Sequence, residues 1–416
     1  MKYSIFGYYF LGSLIHLVFL CSLYGGWLNP FFCDSTHRAG QASDFFTHYQ
    51  ASYNYWQGKS LYKKLTDQPD KVVPYCYREF RFFPSSAFLV GGLITLFSPW
   101  NAYIFWIILN ELLLGFMLVY VWKLCPARFH YAFLLTLGFT PYYVELYMGQ
   151  FNFVVAFSLF FLGYAFLKKS RLLLAFSFYG TLFIKYYGII FLPLFLWKRQ
   201  IFVLFGFFLG MILAFGPYFM KYPEDLALLR ETHAIGGSHA GNLGMRAFLY
   251  VCGDLLTQTR IPRQLPNYTL SEPVDPQSRP FVSRFLYDYL WIFCFVLLCW
   301  RTIHGDQQFL ILLTLWTLFF FLLSKDVWEH HYVVLIPIFC LLNAQYDLTW
   351  RKWCFFFIAI PTPFWGLDVS IPIANIDPEP YWTGAEVLIY HSAKILPTLV
   401  LFFSLLFSKS NLIASD

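Results

Sequence analysis

Long apolar runs recur along this chain with only short polar breaks between them, and that pattern limits the fold more than any other feature. Candidate runs stand at residues 4–24, 84–97, 103–122, 131–148, 151–167, 172–197, 201–220, 285–300, 309–323, 331–342, 354–367 and 395–407. A helix needs roughly 17–25 apolar residues to cross a hydrocarbon core, so several of these suit re-entrant segments better than full crossings. Only helices and closed barrels satisfy backbone polar groups inside lipid. The period-two alternation of a barrel is absent. The expected fold class is therefore an all-α polytopic membrane protein with about a dozen transmembrane or re-entrant helices. Composition agrees: 58% of the 416 residues are hydrophobic and only 12% are charged, half the ~25% of a soluble domain. Too few charges remain to cover a water-soluble enzyme of this length. The 14 Trp and 30 Tyr suit membrane–water interfaces, while the 51 Phe supply apolar bulk.

Lys2 precedes the first run, and no A-x-A-like cleavage site follows it, so an uncleaved span is expected rather than a signal peptide. The net charge of +6 speaks to orientation and anionic membrane lipid. No long basic tract interleaved with aromatics is present, and no nucleic-acid partner is expected. With an even number of crossings and Lys2 inside, residues 25–83, 221–284 and 368–391 all fall on one outer face, as does 324–330. The chain reads as a single membrane domain with those outer loops. Lys168, Lys169 and Arg171 look cytoplasmic, and so do Lys198 and Arg199. The run between them has two readings: a single crossing, which would separate the two basic groups, or a hairpin of two half-helices around Lys185 and Gly188. The nine cysteines form no C-x-x-C pair and no His/Cys cluster at zinc spacing. Neither a metal nor another cofactor is expected. Cys33 and Cys76 share the first outer loop, where a disulfide is open to them in an oxidising compartment.

Ionisable and polar residues gather at the edges of these runs. On a helix, Asp44 and His48 share one face of the aromatic stretch that also holds Tyr49. Asp44 suits the removal of a proton from a hydroxyl; spacing alone favours the plainer reading, in which it and Ser43 serve as a helix N-cap. Arg78 and Arg81 stand just before the second run, where a guanidinium either matches a phosphate or anchors at the interface. Gly149-Gln150-Phe151-Asn152 breaks two runs, as a turn does. Lys185 lies deep in an apolar stretch, a functional hypothesis by default, with phosphate or a buried acid such as Glu111 or Glu145 as partner. Glu111 itself reads as a buried structural hydrogen bond. Gly241-Asn242-Leu243-Gly244-Met245-Arg246 permits close backbone approach and can hold hydroxyls or anions. The link Lys325-Asp326-Val327-Trp328-Glu329-His330-His331-Tyr332 crowds acids and histidines between membrane segments. Adjacent histidines make a poor chelating pair, so donors to phosphate or sugar, or a solvated turn, are the two readings.

Taken in order, these pieces resemble glycosyltransferase family 87, a polyprenyl-phosphate-dependent branch of the GT-C glycosyltransferases. The resemblance runs from about Asp44 to Tyr332. Asp44 with Tyr49, Gly58 and Tyr62 is similar to the family's first-loop pattern. Arg81-Phe82-Phe83-Pro84 resembles its entry to the second span, and Gly149-Gln150-Phe151-Asn152 its Gly-Gln-x-Asn step. Ile184-Lys185-Tyr186-Tyr187 is similar to its lysine element. Gly241-Asn242-Leu243-Gly244 matches a Gly-Asn-Gln-Ser element with two differences. Trp328-Glu329-His330-His331-Tyr332 is the most specific match, to Trp-x-His-His.

The resemblance implies the GT-C fold and a metal-independent, inverting hexosyltransferase. It would move a sugar, mannose first, from a polyprenyl phosphate donor to a lipid or glycan acceptor at the outer, periplasmic face of the cytoplasmic membrane. Asp44 would be the catalytic base. Arg78, Arg81, Lys185, His330 and His331 would bind the donor phosphate. His48, Tyr49, Gln150, Asn152, Asn242, Arg246 and Glu329 would hold the sugar or acceptor. The competing reading is a polytopic transporter or lipid flippase, with Glu111, Glu145 and Lys185 as charges along a path. That reading predicts pseudo-symmetric halves, and no internal repeat is visible.

Overall fold

The structure, a computed structural model, describes residues 2–28, 41–63, 71–74, 76, 80–234, 242–257, 281–304, 308–324, 327–362 and 384–408. Arg78, Gly241, Lys325, Asp326 and Cys33 lie outside them. Among the described residues all regular elements are helices: α1 (Lys2–Gly25), α2 (Ser43–Trp56), α3 (Pro84–Ile94), α4 (Pro99–Leu124), α5 (Phe129–Leu137), α6 (Thr140–Met148), α7 (Asn152–Leu167), α8 (Arg171–Phe183), α9 (Leu192–Trp197), α10 (Ile201–Lys221), α11 (Asp225–Ala234), α12 (Met245–Thr257), α13 (Phe281–His304), α14 (Phe309–Leu323), α15 (Leu335–Gln345), α16 (Arg351–Ala359) and α17 (Gly384–Leu406), with short 3₁₀ turns between some of them.

Among the described residues, four helical segments are long and apolar enough to cross a membrane: Ile5–Gly25, Pro99–Leu124, Ile201–Lys221 and Leu388–Leu406. Large apolar side chains stand exposed along them, Phe6, Phe10, Ile104, Leu112, Phe202, Phe205 and Phe208 among them. Exposed apolar area on this scale is stable only against lipid or a partner. This is a helical membrane protein. The other expected runs form shorter apolar helices, as at Pro84–Ile94, Asn152–Leu167, Arg171–Phe183 and Phe309–Leu323, or broken ones. The run 131–148 breaks at Gly138. Pro141 then falls in the first turn of α6, the one place where a missing N–H costs nothing. The run 172–197 breaks at Lys185, whose backbone is extended (φ −139°, ψ 156°), and resumes through the 3₁₀ turn Tyr186–Phe191. The interruption falls at Lys185, one of the two residues around which the half-helix reading is centred.

Two compact units emerge. One comprises residues 1–39, 127–141 and 236–416; the other comprises 40–126 and 142–235. In the second unit α7 packs along α8, α2 on α3, and α10 against α8 and α3. Aromatic side chains dominate its interior, with Phe45, Phe46, Phe80, Phe151, Phe153 and Phe160 fully buried. In the first unit α5 packs on α1, and α17 against α16, α12 and α14.

Candidate functional site

The second unit assembles a buried polar cluster from three chain segments. The first is α2. Its N-cap is Ala42, in the left-handed conformation (φ 58°), and no side chain caps the helix. Asp44 lies inside the first turn. The cap reading of Ser43 and Asp44 is therefore corrected: the chain enters α2 through Ala42, whose N–H instead donates to Tyr147 O at 2.7 Å.

The second segment is the step from α6 to α7. Gly149 ends α6 in the left-handed region (φ 66°), and the Gln150 N–H returns to Glu145 O at 2.9 Å. That is a Schellman-type end, which favours glycine because it has no Cβ to clash. Space adds a second demand, since a Cβ here would sit 2.4 Å from Phe45 Cβ. Tyr103 Oη donates to Leu146 O at 2.8 Å, and Trp106 Nε1 donates to Gln150 O at 3.0 Å. The last carbonyls of α6 are thus satisfied inside the protein. Glu145 then reaches forward and accepts from the Phe153 N–H at 2.8 Å, placing a carboxylate at the positive end of α7.

The third segment is the break at Lys185. Its ammonium donates to Asn152 Oδ1 at 2.7 Å and to Gln150 Oε1 at 3.0 Å, and lies 5.3 Å from the centre of the Phe82 ring. Tyr187 Oη adds a 3.2 Å bond to the same Asn152 oxygen. Asn152 Nδ2 donates to Glu145 Oε2 at 2.7 Å. The carboxylates acting on Lys185 are Glu145 and Asp44. Of the two acids named for Lys185 from sequence, the structure selects Glu145. Glu111 instead accepts from Tyr142 Oη at 3.0 Å, a structural bond as expected.

Asp44 closes the cluster. The residue is half-buried, but its Oδ2 is sealed from solvent and has no hydrogen-bond partner. Burial pushes the carboxyl up to about 6, against the opposing pull of Lys185, then the Gln150 side-chain hydrogen bond, then Arg81. A carboxyl poised there, beside an ammonium and a guanidinium, can take a proton at neutral pH and stand next to a leaving anion.

Sequence-selected residues divide between the units. Asp44, His48, Tyr49, Arg81, Gln150, Asn152 and Lys185 belong to the second. Tyr49 is a fastener there: its hydroxyl donates to Phe97 O at 2.7 Å. Asn242, Arg246, Glu329, His330 and His331 belong to the first. Asn242 Oδ1 accepts from the Gly244 N–H at 3.0 Å and the Val327 N–H at 3.2 Å, and its carbonyl from His391 Nδ1 at 2.7 Å. Tyr332 Oη donates to Leu243 O at 2.9 Å, so the glycine–asparagine element and the histidine element are laced together. His331 Nδ1 accepts from the Trp328 N–H at 2.9 Å. Arg246 and His330 are both buried.

Glu329 is more deeply engaged than its sequence suggests. Lys394 Nζ sits 2.8 Å from its Oε1, and the Thr362 hydroxyl donates to its Oε2. Lys394 also donates to Ile358 O at 2.6 Å and to Ile360 O, while Thr140 Oγ1 bonds to Ala359 O at 2.5 Å. The end of α16 is thereby capped by a buried cation. Sequence reasoning missed Lys394; the available signal was an ionisable side chain entering an apolar helix. It also missed Asp225, fully buried, which accepts from Ser60 Oγ at 2.7 Å and from Tyr218 Oη. That trio ties the residues after α2 to α10 and α11.

No family model matches the chain, and a comparison with curated proteins finds no similar relative.

Proposed function

We propose that this protein is an inverting membrane glycosyltransferase that moves a sugar, mannose first among candidates, from a polyprenyl phosphate to a lipid or glycan acceptor at the outer face of the cytoplasmic membrane. The observation that carries this reading is the Asp44 carboxyl: sealed at Oδ2, held near neutral pKa, and flanked by Lys185 and Arg81. In the proposed reaction Asp44 Oδ2 takes the proton of the acceptor hydroxyl. The freed oxygen attacks the anomeric carbon from the face opposite the phosphate. The carbon–oxygen bond to phosphate breaks, and its electron pair leaves on polyprenyl phosphate. Lys185 and Arg81 balance the growing charge, the largest service a site of this kind supplies. Gln150 and Asn152 hold the ammonium in place through their amide oxygens.

The resemblance of the chain's motifs to glycosyltransferase family 87 supports the same reaction class. The test is an assay of purified protein with polyprenyl-phosphate mannose and a membrane-lipid extract, reading products by mass spectrometry. Mannosylated lipid formed by the wild type and not by Asp44→Asn is the expected result. No transfer to any acceptor in the extract would reject the reading.

A further inference from the structure

The turns after α7 and after α9 share one backbone design. In each, three successive N–H groups return to the helix. Lys168, Lys169 and Ser170 donate to Tyr164 O, Phe166 O and Ala165 O; Lys198, Arg199 and Gln200 donate to Leu194 O, Leu196 O and Phe195 O. Lys169 (φ 53°) and Arg199 (φ 51°) take the left-handed position that glycine occupies without strain. Both turns thus keep a basic side chain where any side chain is disfavoured. A cation near a helix C-terminus complements the dipole, which accounts for Lys168 and Lys198. It does not account for Arg171, in the first turn of α8, where a cation opposes the dipole.

The two turns lie at one end of the second unit. α7 starts at Asn152, in the Asp44–Lys185 cluster, and runs away from it for 16 residues, roughly 24 Å. α8 runs back from Arg171 to the break at Lys185. Beyond the break the chain returns along α8. A Cβ on Gly188 would meet Leu182 Cγ and Thr181 Oγ1 at 2.5 Å, and the Phe195 ring centre lies 4.4 Å from that of Phe178. Lys198 and Arg199 therefore come back to the end from which α8 starts. α4 reaches the same end: Trp106 bonds to Gln150 O at the cluster, while the Tyr120 ring meets Tyr164 edge-on, 5.3 Å between centres. Lys123 and Lys168 stand over those two tyrosines, at 5.5 and 5.8 Å from the ring centres. Lys123, Lys168, Lys169, Arg171, Lys198 and Arg199 thus gather at one end, and all but Lys198 are exposed. No Asp or Glu occurs in residues 112–144 or 146–223, so these helices bring no carboxylate there.

Large apolar side chains stand exposed beside these cations: Trp122, Leu172, Trp197, Ile201 and Phe202. Cations bordered by exposed Trp and aliphatic side chains match a lipid, whose headgroup and acyl chains meet at one depth. A soluble anion fills only the charged part. We propose that this end of the second unit binds the anionic phosphodiester headgroups of membrane phospholipids, with their acyl chains against the apolar border. The surface lies away from the Asp44–Lys185 cluster and is independent of the chemistry there. An orientation signal needs only the charges. A headgroup surface also uses the turn geometry that fixes Lys169 and Arg199, and it makes the folded protein select anionic over neutral lipid.

Native mass spectrometry of the full chain, released from a neutral detergent, measures binding of palmitoyl-oleoyl phosphatidylglycerol against palmitoyl-oleoyl phosphatidylcholine. The wild type should prefer phosphatidylglycerol about tenfold, and the preference should shrink as ammonium acetate is raised. Combining Lys168→Gln, Lys169→Gln, Arg171→Gln and Arg199→Gln should abolish it. Combining Lys63→Gln, Lys71→Gln, Lys221→Gln and Arg230→Gln removes as much charge from exposed positions elsewhere in the unit and should leave it intact. No preference in the wild type, or equal loss in the two quadruple variants, overturns the proposal. So does full displacement by millimolar glycerol 3-phosphate, which makes the occupant a soluble phosphate. Displacement by poly-glutamate at equal charge makes it an acidic protein segment and overturns the proposal likewise. If the first quadruple variant does not fold, tryptophan fluorescence decides with every charge in place. Dibrominated phosphatidylglycerol should quench the wild type more than dibrominated phosphatidylcholine, and Trp122→Phe with Trp197→Phe should remove most of that excess. An undiminished excess, or none in the wild type, overturns the proposal.

Discussion

Lys185 Nζ lies 2.7 Å from Asn152 Oδ1, while the nitrogen of that same amide donates to Glu145 Oε2 at 2.7 Å. One asparagine thus bridges a cation and an anion, spending each end of its amide on the partner of matching polarity. Gln150 holds the ammonium from the other side, and its side chain also hydrogen-bonds Asp44. The glycine–glutamine–phenylalanine–asparagine step is therefore a bracket for a buried charge.

Replacing Lys185 with Met should lower kcat/KM for the donor by roughly 10²-fold, the loss of one charge-assisted contact. It should also move the acid limb of the pH–rate profile upward, because Lys185 is the largest opposing pull on the Asp44 carboxyl. Donor kinetics and the pH profile of the purified variant check both parts. An unmoved limb with normal kinetics removes Lys185 from the site.

Asp44→Asn should express normally and lose roughly 10²- to 10⁴-fold in turnover, because an amide cannot take the acceptor proton. Stability tests the raised pKa of the carboxyl itself. A carboxyl raised to about 6 from 3.8 favours the folded state most at low pH. That contribution is full below the unfolded value and is lost as pH rises through about 6, a change of at most about 3 kcal/mol. Wild-type Tm should fall across that window, and Asp44→Asn should show a flatter profile. Parallel profiles for the two proteins would contradict the assignment.

Lys394→Met should destabilise the first unit by about 3–5 kcal/mol, since it strands the Glu329 carboxylate beside Thr362 in the interior. Lys394→Met combined with Glu329→Gln should recover much of that loss, because no lone charge remains. Thermal unfolding in detergent of the two single variants and the double variant measures the coupling. Additive losses would show that the pair does not act as a unit.

Topology is open to a direct measurement. Lys71→Cys, at an exposed position in the first loop, should react with an impermeant thiol reagent in intact cells. Lys168→Cys, exposed in the turn after α7, should react only after lysis. Both are read against a background lacking the native cysteines. The reverse pattern would put Asp44 on the cytoplasmic side and end the outer-face proposal.

The membrane class and the all-helical architecture follow from sequence alone. Apolar runs without barrel alternation leave the backbone no other way to satisfy its polar groups in lipid. The break at Lys185 was legible too, because a lysine deep in an apolar run must find partners. Periodicity could not tell Asp44 the base from Asp44 the cap, since both sit at the start of a helix. The tertiary structure removes the cap: the chain enters α2 through Ala42, whose left-handed turn is held by Tyr147, and the carboxylate lies near Gln150 and Lys185 instead. Nor could it tell that Glu145 would reach forward to cap α7, or that Lys394, far along the chain, would take both Glu329 and the end of α16. Such pairings depend on which distant segments pack together. Local pattern determines where a charge lies along the chain, and only packing determines which partner makes its burial tolerable.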